Sequence, residues 1–432
     1  MGETEVIETG TLTGEVVSGQ ISDYRLGERI GSGQEGEVYR LQGPEESVVK
    51  VFGTDCRAEK ADKVRAMVQP ENQPADPTYQ QEGVRSIIWP QNVVEDTSGQ
   101  FLGYKMPEKD LDEALDALSY AMFELTWDNS TDTKRLGAAL NLSIMIDAVH
   151  KQGHAIGDFN HENILVEGGY ISLIDCDAFH INADRATYGG DTYFPRYAPP
   201  EKRPDALSEV QLADRFGLGI YVFQLLMEGS HPFLAQGPSA ATGSLQDMIQ
   251  ENSFPYETSS DGIEPHDGKQ TKYDQLPNQV QARFRDCFVA GKRDSSKRPT
   301  PGDWIETLSE TSGLGEPGGS RADVDRDTQA NGATSSSSTA PNQTGGSGAM
   351  SRTASHSIRD SEDGRISRLI KRIAPNRSQP RSSFAAETTT KSRLPRIDDT
   401  TERLGEEVRR VAFFVGGLLA LLLLLYMAAS IN

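Results

Sequence analysis

Cysteine is scarce in this 432-residue chain. The three present, Cys56, Cys176 and Cys287, are too widely spaced for a metal cluster or a disulfide framework, which points to a reducing compartment. Basic residues are in the minority too: 43 Lys and Arg face 64 Asp and Glu, a net charge of −21, and lysine is scarcer than arginine. A surface of that sign repels phosphate backbones, so no nucleic-acid partner is expected. It is also the balance favoured in a cytosol of very high salt, where self-repulsion is screened. No signal-peptide pattern opens the chain: residues 1–23 are acidic and polar and read as a loose extension. Aliphatic side chains are nearly missing from residues 311–364, which are rich in Gly, Ser, Thr, Asp and Asn, so this stretch cannot bury a core and is expected to be a disordered linker.

Around those gaps the chain is organised about residues 153–179. Asp158 stands five residues before Asn163, an apolar run follows, and Asp175 closes the segment Ile171-Ser172-Leu173-Ile174. This pattern reads as a loop, a short strand, a Gly-Gly turn and a second strand. One Asp and one Asn carbonyl are hard oxygen ligands of the kind Mg²⁺ takes when phosphates fill the rest of its shell. The other acid, Asp158, is then free to orient or deprotonate an attacking hydroxyl. Hairpin-end carboxylates and a turn Asn are also ordinary loop features.

Residues 24–51 carry a second pattern. A strand over residues 26–30 leads into Gly31-Ser32-Gly33-Gln34-Glu35-Gly36-Glu37-Val38, whose glycines let backbone amides lie close over phosphates. The apolar strand Val48-Val49-Lys50-Val51-Phe52 follows, with one cation that needs an anionic partner such as phosphate. Residues 55–69 read as a helix, and residues 87–90 and 101–106 as strands. From Leu111 the period becomes helical, with Leu111, Leu115 and Leu118 on one face and Leu136, Leu140 and Ile144 on another. His150, His154 and His161 fit no zinc spacing.

Taken in order, these landmarks resemble the protein-kinase family over about residues 24–310. The glycine-rich loop (Gly31, Gly33, Gly36, with Val38) and the strand Lys (Lys50) match its ATP-binding half. Asp158 and Asn163 match its catalytic Asp and metal-binding Asn, and Asp175 the Asp of Asp-Phe-Gly. Ala198-Pro199-Pro200-Glu201 matches Ala-Pro-Glu, Asp214 opens the Asp-x-Trp-x-x-Gly helix with Phe216 for Trp, and Arg298 is placed to pair with Glu201. Three positions depart: Ile156-Gly157 replaces His-Arg, Asn160 replaces Lys, and Cys176-Asp177 replaces Phe-Gly.

The resemblance implies an α+β, two-lobed fold, with a small β-rich N-lobe and a larger helical C-lobe. It implies ATP and Mg²⁺ as cofactors and a protein substrate, Ser/Thr-specific by default. In these terms Asp158 positions the substrate hydroxyl, Asn163 and Asp175 bind Mg²⁺, and Lys50 holds the ATP phosphates. Met106 falls at the adenine-binding hinge, and Glu59 is the expected partner of Lys50 on the helix, with Glu82 in reserve. An arginine next to the catalytic Asp receives a loop phosphate in many kinases. Gly157 has no side chain to do so, and no phosphorylation of Thr187, Tyr188, Thr192 or Tyr193 is expected to be needed. The rival readings are a small-molecule phosphotransferase of the aminoglycoside-kinase kind and a pseudokinase that binds without transfer.

The tail changes character again. Residues 365–410 contain a basic amphipathic stretch in which Ile366, Leu369, Ile370 and Ile373 alternate with Arg and Lys, suited either to an anionic membrane surface or to a plain basic linker. Residues 411–432 are uncharged, mostly Leu, Ala, Val and Phe, and about as long as a bilayer core demands. With Arg409 and Arg410 before this segment, it reads as one transmembrane helix holding the kinase domain on the cytoplasmic side of the cell membrane.

Overall fold

A computed structural model describes residues 12–312, apart from 21, 44–45, 110–113, 123–130, 168, 184–185, 191–194, 202–205, 242 and 258–261. The expected linker, basic stretch and transmembrane segment lie outside the described residues. Among those described, no helix is long and apolar enough to cross a membrane.

Six antiparallel strands form the N-terminal part: β1 (Val16–Gly19), β2 (Asp23–Ser32), β3 (Gly36–Leu41), β4 (Ser47–Phe52), β5 (Asn92–Glu95) and β6 (Phe101–Pro107). They close into a barrel in the order β1-β2-β3-β4-β6-β5. Strand β4 is buried at all six positions, as a β-branched run packed on both faces should be. Its inner face meets helix α1 (Arg57–Met67) through Phe52, Ala61, Val64 and Val68. Helix α2 (Pro77–Glu82) has proline in its first turn, and the Asp76 carboxylate accepts from Tyr79, Ser86 and Ile87 amides at 3.0, 2.8 and 3.1 Å.

The remainder is mainly helical. Strand β7 (Leu115–Asp116) and helices α3 (Ala117–Met122) and α4 (Thr131–Lys151) precede the hairpin β8 (Ile164–Glu167) and β9 (Tyr170–Leu173), which β7 extends to three strands. A second hairpin, β10 (Ile181–Ala183) and β11 (Ala186–Tyr188), comes before the long helix α5 (Leu207–Leu226). The core is aromatic: Phe223 of α5 lies 5.0 Å from the Phe284 ring and 5.2 Å from Tyr256. The last helix, Pro301–Thr311, starts with a Thr300–Asp303 capping box and buries Trp304 and Leu308 in the same cluster.

The β-rich and helical parts, and the helical face with Leu136, Leu140 and Ile144 on α4, are as expected from sequence. Three expectations need correction. The extension over residues 1–23 is not loose throughout, because Leu12 and Val17 are buried with Leu26 and Val49 and β1 pairs with both β2 and β5. Leu115 belongs to a strand, not a helix: it pairs with Val166, about fifty residues away, a contact no local period reveals. Residues 87–90 form no strand. Ile87 makes a single parallel bridge to Leu173, and the strand begins after Pro90, at Asn92.

His231 is buried beside Phe233, 4% exposed, its Nε2 3.1 Å from the Arg196 carbonyl. Burial lowers its pKa to about 3, more than the carbonyl contact can offset. The unfolded imidazole titrates near the ordinary value, so its share of stability is complete above about pH 6.5 and is lost as the pH falls from there toward 3. Burial lowers the His154 pKa in the same direction. Urea unfolding at pH 7 and pH 5 should show His231→Gln losing about 2 kcal/mol less than the wild type between the two conditions.

Candidate active site

Lys50 is placed from the β side. It pairs across the barrel with Val38 of β3 and Tyr104 of β6. The glycine-rich turn is closed by the Gly33 amide, which donates to the Gly36 carbonyl at 2.8 Å. Gly36 is required by space: a Cβ there would sit 2.1 Å from the Val51 carbonyl oxygen. Around Gly33 there is nothing within 4 Å of a Cβ, and at Gly31 only the Val38 side chain. Val38, Val48, Met106 and Ile174 share one apolar cluster, which gives the cleft beside Lys50 a wall suited to a flat ring.

The loop carrying Asp158 is held from below. Asp214 of α5, 1% exposed, accepts the Ile156 amide at 2.7 Å and the Gly157 amide at 2.9 Å, and His150 Nε2 lies 2.9 Å away. The Tyr221 hydroxyl donates to the Phe159 carbonyl at 3.2 Å. Asn160, at the family's Lys position, accepts the Glu162 amide at 3.2 Å and so caps the turn His161–Asn163. The Ile174 amide donates to the Asn163 carbonyl at 3.0 Å, which sets Asn163 beside the chain leading into Asp175. Asp158 itself is half-buried.

Gly157 explains the missing arginine. Its φ is +74°, and a Cβ would lie 2.4 Å from Cδ2 of His180, whose backbone bridges Ala155 at 2.8 and 3.0 Å. The imidazole occupies the room an arginine would need.

Asp175 sits in left-handed conformation at φ 54°, its side chain half-exposed and its Oδ1 3.2 Å from Lys50 Nζ. Asp177, one 3-10 turn on, is 1% exposed and accepts Lys50 at 2.9 and 3.0 Å and the Tyr104 hydroxyl. Burial alone would raise the Asp177 carboxyl, but the Lys50 charge and the hydrogen bonds bring it below the ordinary value. Burial would likewise lower Lys50, and Asp177, Asp175 and Glu35 together hold it above the ordinary lysine range. Cys176 between the two acids is fully buried, and burial pushes its thiol well up, an inert core position where Asp-Phe-Gly has Phe.

The expected helix partner of Lys50 is not brought to it. Glu59 is exposed on α1, and Glu82 ends α2. Neither is among the carboxylates that meet Lys50, which are Asp177, Asp175 and Glu35. The inward positions of α1 are Lys60 and Lys63: Lys60 meets Glu35 of the glycine-rich loop at 2.7 Å and Lys63 donates to the Gly189 carbonyl at 2.9 Å. The helix turns one position further than expected, because Ala61, Val64 and Val68 must face the barrel. Sequence reasoning missed Asp177; its one signal was a second acid where the family has glycine.

The donors present suit the cofactors the resemblance implies. One amide and one half-exposed carboxylate, next to a buried lysine, are what a Mg²⁺–phosphate ligand needs from protein. Among the described residues, no group of three or more His, Cys, Asp and Glu is placed to hold a metal alone. Glu201 and Arg298 also meet as expected, in a two-pronged pair at 2.6 and 2.7 Å, with Arg298 buried and Glu201 partly exposed.

The chain is also similar to two proteins of known name. Over 312 residues the chain is 27% identical to a protein named Protein kinase YegI of Escherichia coli strain K12, covering 70% of this chain and 46% of the relative. The protein of the same name from Escherichia coli O157:H7 is 27% identical over 308 residues, 69% of this chain and 45% of the relative. The similarity supports a kinase family. The mixed architecture, β-rich first and helical after, fits a kinase-like fold. The chain spans less than half the length of these relatives. No family model matches it.

Gly157→Ala should cost about 1–2 kcal/mol from the left-handed backbone alone, and more from the His180 ring. Thermal unfolding of Gly157→Ala, His180→Ala and the double variant should show a less-than-additive loss, because removing the ring relieves the clash but not the backbone.

Proposed function

We propose that the chain is an ATP- and Mg²⁺-dependent protein kinase, Ser/Thr-specific, anchored to the membrane by its tail with the kinase domain in the cytoplasm. The observation that carries the catalytic part is the meeting of Lys50 from the barrel with Asp175 from the metal loop, above an Asp158 loop held by Asp214. On this reading Lys50 binds ATP phosphates under the Gly31–Gly36 turn, and Val38 and Met106 flank the adenine. Asp158 orients the substrate hydroxyl and takes its proton as the γ-phosphoryl group is transferred. Asn163 and Asp175 would hold Mg²⁺, which when bound offsets charge on the phosphates. The kinase-named relatives support the reaction class, and the match to less than half their length leaves the protein substrate to experiment. The two-pronged Arg298–Glu201 pair and the Asp214 brace favour a protein kinase over a small-molecule phosphotransferase.

The anchor rests on residues 411–432, apolar and preceded by Arg409 and Arg410. The regulatory reading rests on Gly157. With His180 filling the space of the absent arginine, a loop phosphate has no such partner. Thr187 and Tyr188 lie in the β10–β11 hairpin, paired with Asn182 and Ile181, while Thr192 and Tyr193 lie outside the described residues.

With the full chain in detergent, labelled ATP, Mg²⁺ and a mixed protein substrate, wild type should transfer phosphate. Asp175→Ala should abolish transfer at any Mg²⁺ concentration, and Asp158→Asn should bind nucleotide without turnover. A wild type that transfers to no protein and to no small alcohol would leave the pseudokinase.

Deleting residues 411–432 should move an active kinase into the soluble fraction. Replacing Thr187, Tyr188, Thr192 and Tyr193 with Ala or Phe should change the initial rate less than tenfold, about 1.4 kcal/mol of barrier.

A further inference from the structure

Helix α1 offers the cleft only cations. Its buried residues are Lys60, Ala61, Lys63, Val64 and Met67, and its acid near the cleft in sequence, Glu59, is exposed. Yet Lys50, 6% exposed, cannot stay charged in the barrel without a fixed anion. Three carboxylates face its Nζ: Asp177 at 2.9 Å, Asp175 at 3.2 Å and Glu35 at 3.6 Å, with the Phe52 ring centroid at 5.4 Å. Exposure separates their roles. The Asp175 side chain is 50% exposed and Glu35 33%, so a nucleotide or a cation can draw either away, whereas Asp177 is 1% exposed and cannot exchange with solvent. Asp177 is also locked from a second side by the Tyr104 hydroxyl, and Tyr104 is the residue opposite Lys50 on the neighbouring strand. Lys50, Tyr104 and Asp177 thus meet between the barrel and the metal loop, with the Lys63 charge of α1 also acting on Asp177 and Glu35 bridging Lys50 to Lys60.

We propose that Asp177 is the positioning residue of Lys50, in the place the kinase resemblance gives to a glutamate on helix α1. This rests on reading Lys50 as the phosphate-binding lysine. The assignment has a mechanical consequence. The anchor of Lys50 stands two residues from Asp175 on one 3-10 turn, so the phosphate clamp and the metal ligand move as one body. Helix α1 is coupled instead to the glycine-rich loop, through Lys60 and Glu35, and to Gly189 through Lys63. Displacing α1 would loosen the roof over the phosphates without freeing Lys50.

The test uses the full chain in detergent as wild type, Asp177→Asn, Asp177→Glu and Glu59→Gln, each checked for wild-type-like unfolding. Two quantities are read: the dissociation constant for Mg-ATP, and the pH dependence of Lys50 acetylation by acetic anhydride without nucleotide, followed by mass spectrometry. Asp177→Asn should weaken Mg-ATP at least about tenfold and move the acetylation curve to lower pH by about one unit or more, since a lost carboxylate favours the free amine. Asp177→Glu should recover part of both, and Glu59→Gln should stay within about twofold of wild type. If Asp177→Asn does not fold, Asp177→Glu, which keeps the charge but displaces it by one methylene, should shift the curve the same way by less. An unshifted curve in whichever of these variants folds, or a loss of Mg-ATP binding in Glu59→Gln, overturns the proposal. Failure of the kinase reading looks different: wild type binds no Mg-ATP, while the acetylation curve still reports whether Asp177 holds Lys50.

Discussion

A lysine ammonium buried in a β-barrel sets the terms for everything near it. Lys50 sits between Val49 and Val51, both apolar and buried, and such a cation is tolerated only with a fixed anion within hydrogen-bond reach. The chain meets that demand from across the fold, with an acid 127 residues later in sequence. That requirement ties the hairpin β8–β9 to the barrel and dictates which carboxylates crowd the cleft. The negative charge of the molecule as a whole is therefore not spread at random. At the cleft it is matched by Lys50, Lys60 and Lys63, three of the few lysines the chain has.

Below the cleft a different logic holds the Asp158 loop. Asp214 satisfies two consecutive loop amides, and Gly153 and Gly157 both take left-handed backbone that a side chain would resist. Asn160 caps the next turn and the Asn163 carbonyl receives Ile174. Positions at which the loop departs from the kinase pattern are thus filled by groups that serve the fold. Gly157 makes room for His180, Asn160 closes a turn, and Cys176 packs in the core.

Features resting on local pattern were legible from sequence. The glycine-rich turn is marked by its glycine spacing, the strand with Lys50 by its apolar β-branched run, and α4 by a helical stripe. The Asp214 brace and the Arg298–Glu201 pair came from motif resemblance and meet in space as expected. What escaped depends on phase and distance. Whether Glu59 or Lys60 faces the cleft is a matter of about 100° of rotation on an 11-residue helix, settled by Ala61, Val64 and Val68 against the barrel. Leu115 became a strand because β8 was there to pair with it. Strand β1, four residues long with one buried side chain, carries too little pattern to announce itself.

That short strand alters how the N-terminal part can meet other molecules. With β1 joined to both β2 and β5, the barrel has, among the described residues, no strand left as an open border. A peptide cannot lengthen this sheet by adding itself to a border, and neither can a second copy of the chain. Recognition on that half must pass through side chains or through the glycine-rich turn, and backbone-templated pairing, the route by which open sheets are drawn into aggregates, is closed to it.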